Sequence, residues 1–226
     1  MGVIVENLKR DTEDLMKAYA DLPLDDYRRK LDLLNKLTAH MCREGKFLLA
    51  VETARAELPR FEEHKCLELA NITHNMIKYC CLVGDYDSSI DYGLKALELF
   101  RQFGTADDIN DVIANTGGVY ISMNQYEKGL EYTQRALEYA KSKNDREALS
   151  FFLNNCGIAL NKLGRHDEAV VNYEEAISIK LELGKKRELC NSYMNLAQVF
   201  LDIGNYSKAF EVLEKVRPIA EEISDL

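Results

Sequence analysis

The chain has 226 residues, 46% hydrophobic and 30% charged, with 3 Pro and a formal net charge of −9. That acidic balance argues against a nucleic-acid binder, which carries a basic face, and against attraction to an anionic membrane. No run approaches the ~18 apolar residues of a spanning helix, and Met1-Gly2-Val3-Ile4-Val5 is followed at once by Glu6, Lys9 and Arg10, so no secretory leader is expected. Met1-Gly2 opens a myristoylation pattern, but the sixth residue is Glu6 rather than Ser or Thr. The expected location is the cytoplasm.

In chain order, Val3 to Ala20 predicts a first helix with Val5, Leu8, Leu15 and Met16 apolar, placed to cover the open end of the first helical hairpin. Asp21-Leu22-Pro23 breaks it, and Asp25 or Asp26 is placed to cap a helix running to about Glu44. The helix from Phe47 meets Pro59, which must end or kink it. Leu67 to Val83 then pairs with Asp87 to Phe103, with Gly104 as the stop. Asp107 to Met123 pairs with Tyr126 to Lys143, and Asp107 and Asp108 put negative charge at a helix start. Asp145 opens the next hairpin, which breaks at Leu163-Gly164, resumes through Ala169 and Ala176, and closes at Gly184. Lys185-Lys186-Arg187 reads as a solvated turn. Glu188 to Ile203 pairs last with one helix from Tyr206 to about Ser224.

These hairpins are one unit written five times. The break residue and the ring two places on are Gly45/Phe47, Gly84/Tyr86, Asn124/Tyr126, Gly164/His166 and Gly204/Tyr206, spaced 39, 40, 40 and 40 residues apart. Nine before the break stand Lys36, Asn75, Asn115, Asn155 and Asn195. Five after it stand Ala50, Ser89, Gly129, Ala169 and Ala209, always small; twelve after it stand Ala96, Ala136 and Ala176, then Val216. Self-similarity at this period marks a solenoid, whose units bury their apolar faces only by stacking on their neighbours. The expected organisation is a single array over 1–226: an N-terminal capping helix in 1–22, then repeats at 25–64, 65–104, 105–144, 145–184 and 185–226. The first copy is the most degenerate, as terminal repeats usually are.

The chain resembles the tetratricopeptide-repeat family, whose unit of about 34 residues carries a small residue, an aromatic three on, A-x3-aromatic and a later Ala. The fourth copy has Gly157, Ala169, Tyr173 and Ala176; the third has Gly117 with Tyr120, and Ala136; the fifth has Ala197 with Phe200, and Ala209. It departs in having no Trp, in Gly129 replacing the first Ala of the third copy's second helix, and in a longer unit. The long unit is similar to repeats of kinesin light chains and bacterial peptide-sensing regulators. The resemblance spans Asp25 to Leu226 and implies an all-α fold, a right-handed superhelical solenoid of five helical hairpins plus the N-terminal helix.

No catalytic constellation stands out. There is no G-x-x-x-x-G-K-[ST], no G-x-S-x-G and no H-E-x-x-H. His40, His64, His74 and His166 fall in different copies; His64 and Cys66, two apart on a helix, would point to different faces and make no metal pair. His166 holds the slot of an aromatic, so packing accounts for it. Cys42, Cys66, Cys80, Cys81, Cys156 and Cys190 contain no C-x-x-C and read as small buried hydrophobes. A helical array offers a surface rather than a closed pocket. No enzymatic activity, cofactor or metal is expected.

Binding is expected instead, with another protein or a peptide as partner. The resemblance implies that the first helix of each hairpin lines a concave groove, with residues 13, 10, 9, 6 and 3 before each break facing it. Those slots hold Asn71, His74, Asn75, Lys78 and Cys81; then Asp111, Ala114, Asn115, Gly118 and Ile121; then Phe151, Asn154, Asn155, Ile158 and Asn161; then Asn191, Met194, Asn195, Gln198 and Leu201. Asn and Gln offer both a donor and an acceptor, so a ladder of them can bond a peptide backbone whatever its side chains. Family members use an Asn at the matching place to hold a peptide main chain, and the same Asn can instead bond within the array. The candidate peptide-binding residues are Asn71, His74, Asn75, Lys78, Asn115, Asn154, Asn155, Asn161, Asn191, Asn195 and Gln198. Only Lys36 and Lys78 are basic among these slots, in separate copies, so the carboxylate clamp of chaperone-binding relatives is not expected.

Two alternatives accompany this reading. One is a sensory or regulatory domain of a larger signalling protein. The other is a homo-oligomeric scaffold, since Arg217-Pro218 reads as an array end while Ile219 and Ile223 are left without a following helix. Either more chain covers them or a partner does, including a second copy in a homodimer.

Overall fold

The computed structural model describes the backbone of residues 2–224 and the side chains of residues 11–223. Among them the regular structure is helical: α1 (Gly2–Asp21), α2 (Tyr27–Arg43), α3 (Phe47–Glu57), α4 (Leu67–Leu82), α5 (Tyr86–Phe103), α6 (Ala106–Ser122), α7 (Tyr126–Lys143), α8 (Arg146–Lys162), α9 (His166–Glu182), α10 (Lys186–Asp202), α11 (Tyr206–Glu214) and α12 (Val216–Ser224). A 3-10 turn, Leu58–Phe61, follows α3. The chain divides into two compact units, one ending at Val119 and the other beginning at Tyr120, so α6 carries the division within it.

The hairpins turn where the repeat pattern breaks. The break residue is in the left-handed region in each copy, at φ 75° for Gly164 and 59° for Asn124. Glycine reaches that region without a Cβ penalty, and Asn is among the few others that tolerate it. At Gly164 the helix closes with paired carbonyl contacts: Arg165 N–H to Leu160 O at 2.9 Å and Gly164 N–H to Asn161 O at 3.0 Å. Helix starts are capped by Asp85, Asp145 and Asn205, which accept from the amides of Ser88, Ala148 and Lys208. Thr105 and Asp108 form a reciprocal box at the start of α6. Asp26 sits at the cap position of α2 but accepts no amide; it pairs with Arg29 at 3.4 Å instead.

In the first unit α2 packs on α1, α3 and α4, and α4 on α5. Helix α1 packs on α2, with Leu15 against the cluster of Leu37, Met41 and Ala50. Thr12 Oγ1 meets His40 Nδ1 at 2.9 Å, and Lys30 Nζ reaches Tyr19 O at 2.7 Å. In the second unit α8 packs on α7 and α9, and α10 on α9, α11 and α12. The small residues of the repeat sit in the packed interior between helices. Ala96, Ala136 and Ala176 are fully buried, and a Cβ on Gly157 would stand 2.7 Å from Tyr173 Cζ.

Three expectations are corrected. The last helix is not continuous: α11 stops at Glu214, and α12 starts at Val216. Pro218 has no N–H to give the Glu214 carbonyl, and its ring crowds that carbonyl. Beyond the break α12 packs on α10 and α11, with Lys186 Nζ 2.7 Å from Glu222 Oε2. Ile219 and Ile223 are therefore half-buried rather than open. The exposed apolar residues lie on α11 instead, Tyr206, Phe210 and Leu213. Lys185-Lys186-Arg187 is the start of α10, where Lys185 also pairs with Glu147 at 2.7 Å. His64 is not helical: it sits before α4 and stacks on Tyr27, with ring centres 4.3 Å apart, while Cys66 holds the cap position of α4.

Candidate functional site: amides on the first helices

Residues three, four and seven apart share a helix face. Helix α4 therefore presents Asn71, His74, Asn75 and Lys78 together; α8 presents Asn154, Asn155 and Asn161; α10 presents Asn191, Asn195 and Gln198. Asn115 is on the part of α6 that belongs to the first unit.

The amides are linked by a rule that crosses repeats. The Asn nine before a break donates its Nδ2 to the residue ten before the preceding break. Asn75 reaches Asn35 Oδ1 at 2.8 Å, Asn115 reaches His74 Nε2 at 2.7 Å, and Asn195 reaches Asn154 Oδ1 at 3.4 Å. Each bond ties neighbouring first helices together. Each also leaves the donating Asn with its Oδ1 unengaged. An Asn amide only donates through Nδ2, so His74 is neutral with its proton on Nδ1. Burial pushes the His74 pKa down, opposed by Asp111 and Asp108.

Asn155 breaks the rule. Its side chain hydrogen-bonds to no other residue among those described, and the sequence slot that supplies the acceptor elsewhere holds Ala114. Asn71, Lys78 and Asn191 are likewise without a hydrogen-bond partner among the described residues. Asn161 and Gln198 differ. Asn161 is only 7% exposed, donates to Asp202 Oδ2 at 2.7 Å and accepts from His166 Nδ1 at 2.8 Å. Gln198 Nε2 donates to the other Asp202 oxygen at 2.7 Å. Bonds from Asn161 and then Gln198 hold the Asp202 carboxyl below its usual range. These two side chains belong to a closed cluster at the hairpin end, and the same bond explains His166 in its aromatic slot.

Sequence reasoning missed Asn35, Asp202, Lys180 and Ser192. Lys180, on α9, is 5% exposed and donates to Ser192 Oγ at 2.7 Å; Ser192, on α10 and fully buried, donates to Asn154 Oδ1 at 3.0 Å. Burial pushes the Lys180 ammonium down, opposed by Glu188. A signal was present: Lys180 stands where other copies have Phe100, Ala140 and Ala220, and Ser192 where they have Ile72, Val112 and Phe152. Two polar residues in apolar slots of adjacent helices imply a buried pair.

The thiols are packing elements. Burial pushes Cys156 up to about 12 and Cys42 and Cys80 up to about 11, away from reactive thiolate. Among the described residues no three His, Cys, Asp or Glu converge as metal ligands, and no helix is long and apolar enough to cross a membrane.

A family model described as tetratricopeptide repeat matches residues 108–182 and 152–222, together just over half of the chain. No curated protein matches by sequence. Among solved structures, the apo form of RapI is similar over 87% of this chain and 72% of its own, at 22% identity and TM-score 0.77. A putative kinesin light chain repeat protein of Podosopora anserina is similar over 88% of this chain and 99% of its own, at 15% identity and TM-score 0.74. The tetratricopeptide-repeat sensor of a signal transduction ATPase with numerous domains, from Pyrococcus horikoshii, is similar over 97% of this chain, at 18% identity and TM-score 0.81. This chain spans 34% of that protein. At these identities the likeness establishes the fold.

Proposed function

Because this chain belongs to the tetratricopeptide-repeat family, we propose that it is a binding module that holds an extended segment of another protein along the amides of its first helices. The observation that carries this is the amide rule. Asn75, Asn115 and Asn195 each use Nδ2 inside the stack and keep Oδ1, while Asn71, Asn155 and Asn191 keep both ends. Carbonyl oxygens and amide N–H groups at helical spacing complement a main chain and are indifferent to its side chains. Asn161 and Gln198 leave the proposed contact set, because Asp202 engages them. The module works by recognition and carries out no chemistry of its own.

The test is a random 12-residue peptide display library panned on the whole chain, followed by fluorescence anisotropy on synthetic winners. Replacing Asn155 and Asn195 with Ala together removes two net hydrogen bonds of about 1 kcal/mol each, or roughly 30-fold in Kd. Circular dichroism should remain that of the parent. Equal affinity for the double variant refutes the reading, as does the absence of any enriched peptide.

A sensory role within a larger protein is the second reading, favoured by the likeness to the Pyrococcus sensor. It requires that a bound peptide change the shape of the array. Small-angle scattering of the chain with and without a selected peptide checks this, and an unchanged radius of gyration argues for a passive clamp.

A further inference from the structure

The rung between α8 and α10 differs from the others in having its direction set by a buried lysine. Lys180 is the reason. An ammonium has three donors and no acceptor, so in the 2.7 Å contact Ser192 Oγ can only accept. A hydroxyl has one proton, and Ser192 places it on the Asn154 atom 3.0 Å away. That atom must then be an oxygen, which fixes the Asn154 amide with Oδ1 toward Ser192. The Asn195 group 3.4 Å from the same oxygen must be its Nδ2, since the flipped amide would set oxygen against oxygen. Proton direction thus runs from a buried charge through a buried hydroxyl to two half-exposed amides.

We infer that Lys180 and Ser192 are positioning residues that make the Asn154–Asn195 rung a one-way reader of a ligand's main chain: Asn154 Nδ2 donates to a carbonyl, and Asn195 Oδ1 accepts from an N–H. The inference rests on the proposed main-chain binding and adds its polarity. Both lone pairs of Asn154 Oδ1 are engaged by Ser192 and Asn195, and its Nδ2 bonds to none of the described residues, so both of its N–H groups are left for a ligand. Asn195 keeps the complementary oxygen. The Asn75–Asn35 rung has no such source, for it is a single amide-to-amide bond of 2.8 Å that a concerted flip of both side chains would reproduce in reverse. Unlike the Asn75–Asn35 rung, the Asn154–Asn195 rung therefore specifies on which side a main-chain carbonyl and on which side an N–H must lie, and with it the direction of a bound chain.

Two NMR readouts on the whole chain separate the polarity from the binding. Without ligand, the Asn195 side-chain NH2 should exchange with water several-fold more slowly than the Asn154 NH2, because only the former is engaged. Lys180→Met keeps the volume and removes the donor. Ser192 is then free to turn its proton to the carbonyl one helical turn back, and the two exchange rates should converge. Equal rates in the parent, or an unchanged ratio in K180M, overturn the polarity. Ser192→Ala is the second variant and should converge likewise. With ligand, the probes are N,N-dimethylacetamide, which only accepts, and N-methylacetamide, which does both. The first should shift the Asn154 NH2 signals of the parent more than those of Asn195, one of whose two N–H groups is already engaged, and the second should shift both. In K180M the first probe should shift both partially. If neither probe moves either Asn in the parent, the binding half falls while the exchange ratio still judges the polarity.

Discussion

Gly157→Ala adds one methyl group where the fourth repeat has no room for it. The new Cβ would lie 2.7, 2.8 and 3.0 Å from Tyr173 Cζ, Cε1 and Cδ1, inside van der Waals contact with one edge of the ring. Tyr173 is 2% exposed, so its ring has no open space to rotate into, and α8 must instead move away from α9. Overpacking of this kind costs about 1–3 kcal/mol. Replacing Gly by Ala inside a helix returns up to about 1 kcal/mol, which leaves a net loss of up to about 2 kcal/mol when that return is complete. For a chain of this length that lowers Tm by up to about 8 °C. Differential scanning calorimetry of the parent, G157A, Tyr173→Leu and the double variant reads both the loss and its cause. Truncating the ring removes the obstacle, so G157A should cost little or even help in the Y173L background. A higher Tm for G157A in the parent, or the same loss with and without the ring, refutes the close-approach argument.

Asn161→Ala and Asn155→Ala should behave oppositely: the first strips Asp202 of its main partner and loses about 1–2 kcal/mol without weakening selected peptides, whereas the second weakens peptides and leaves Tm within about 1 °C. Acidification should destabilise the first unit through His74. Its folded pKa lies below the ordinary value, so the stability it supports is present above that ordinary value and is lost as pH falls through the folded one. Protonated Nε2 also cannot accept from Asn115. Melts from pH 7 to pH 4 should therefore fall more steeply for the parent than for His74→Gln. Cys156, with its thiol pushed up to about 12, should resist iodoacetamide at pH 8 in the folded chain and react on denaturation, as mass spectrometry of the labelled peptides would show.

The features readable from the sequence are those set by single residues at fixed distances from a turn. Gly164 and Asn124 give the turn because few residues tolerate positive φ. Ala96, Ala136 and Ala176 mark the packed interior, where each is fully buried. The kink at Pro218 was legible in principle, but the apolar pattern of Ile219 and Ile223 continues the helical period through it and hid the change of direction. The amide rule was not legible in the same way. Its partners stand 40 or 41 residues apart, so the register of one copy on the next decides them, and one sequence leaves that register unstated. Aligning copies brings the slots into columns but pairs each Asn with its equivalents, not with the neighbour one place earlier in the preceding copy.

That diagonal pairing changes the terms of the question asked of the Asn ladder. Bonding within the stack and bonding a ligand look like rivals only if an amide has one end. Asn195 donates from Nδ2 to Asn154 and would accept at Oδ1, and the two acts reinforce one another, since a hydrogen bond accepted at the carbonyl polarises the amide and strengthens the one its N–H donates. A peptide N–H on Asn195 Oδ1 would thus shorten the rung's 3.4 Å bond and draw α10 toward α8, while a carbonyl on Asn154 Nδ2 would make Asn154 Oδ1 a better acceptor for Ser192 and Asn195 alike. The 3.4 Å separation leaves room for that shortening. Binding and helix packing in the second unit are then one linked equilibrium, and the buried Lys180, unfavourable for stability where it stands, is what gives that link its direction.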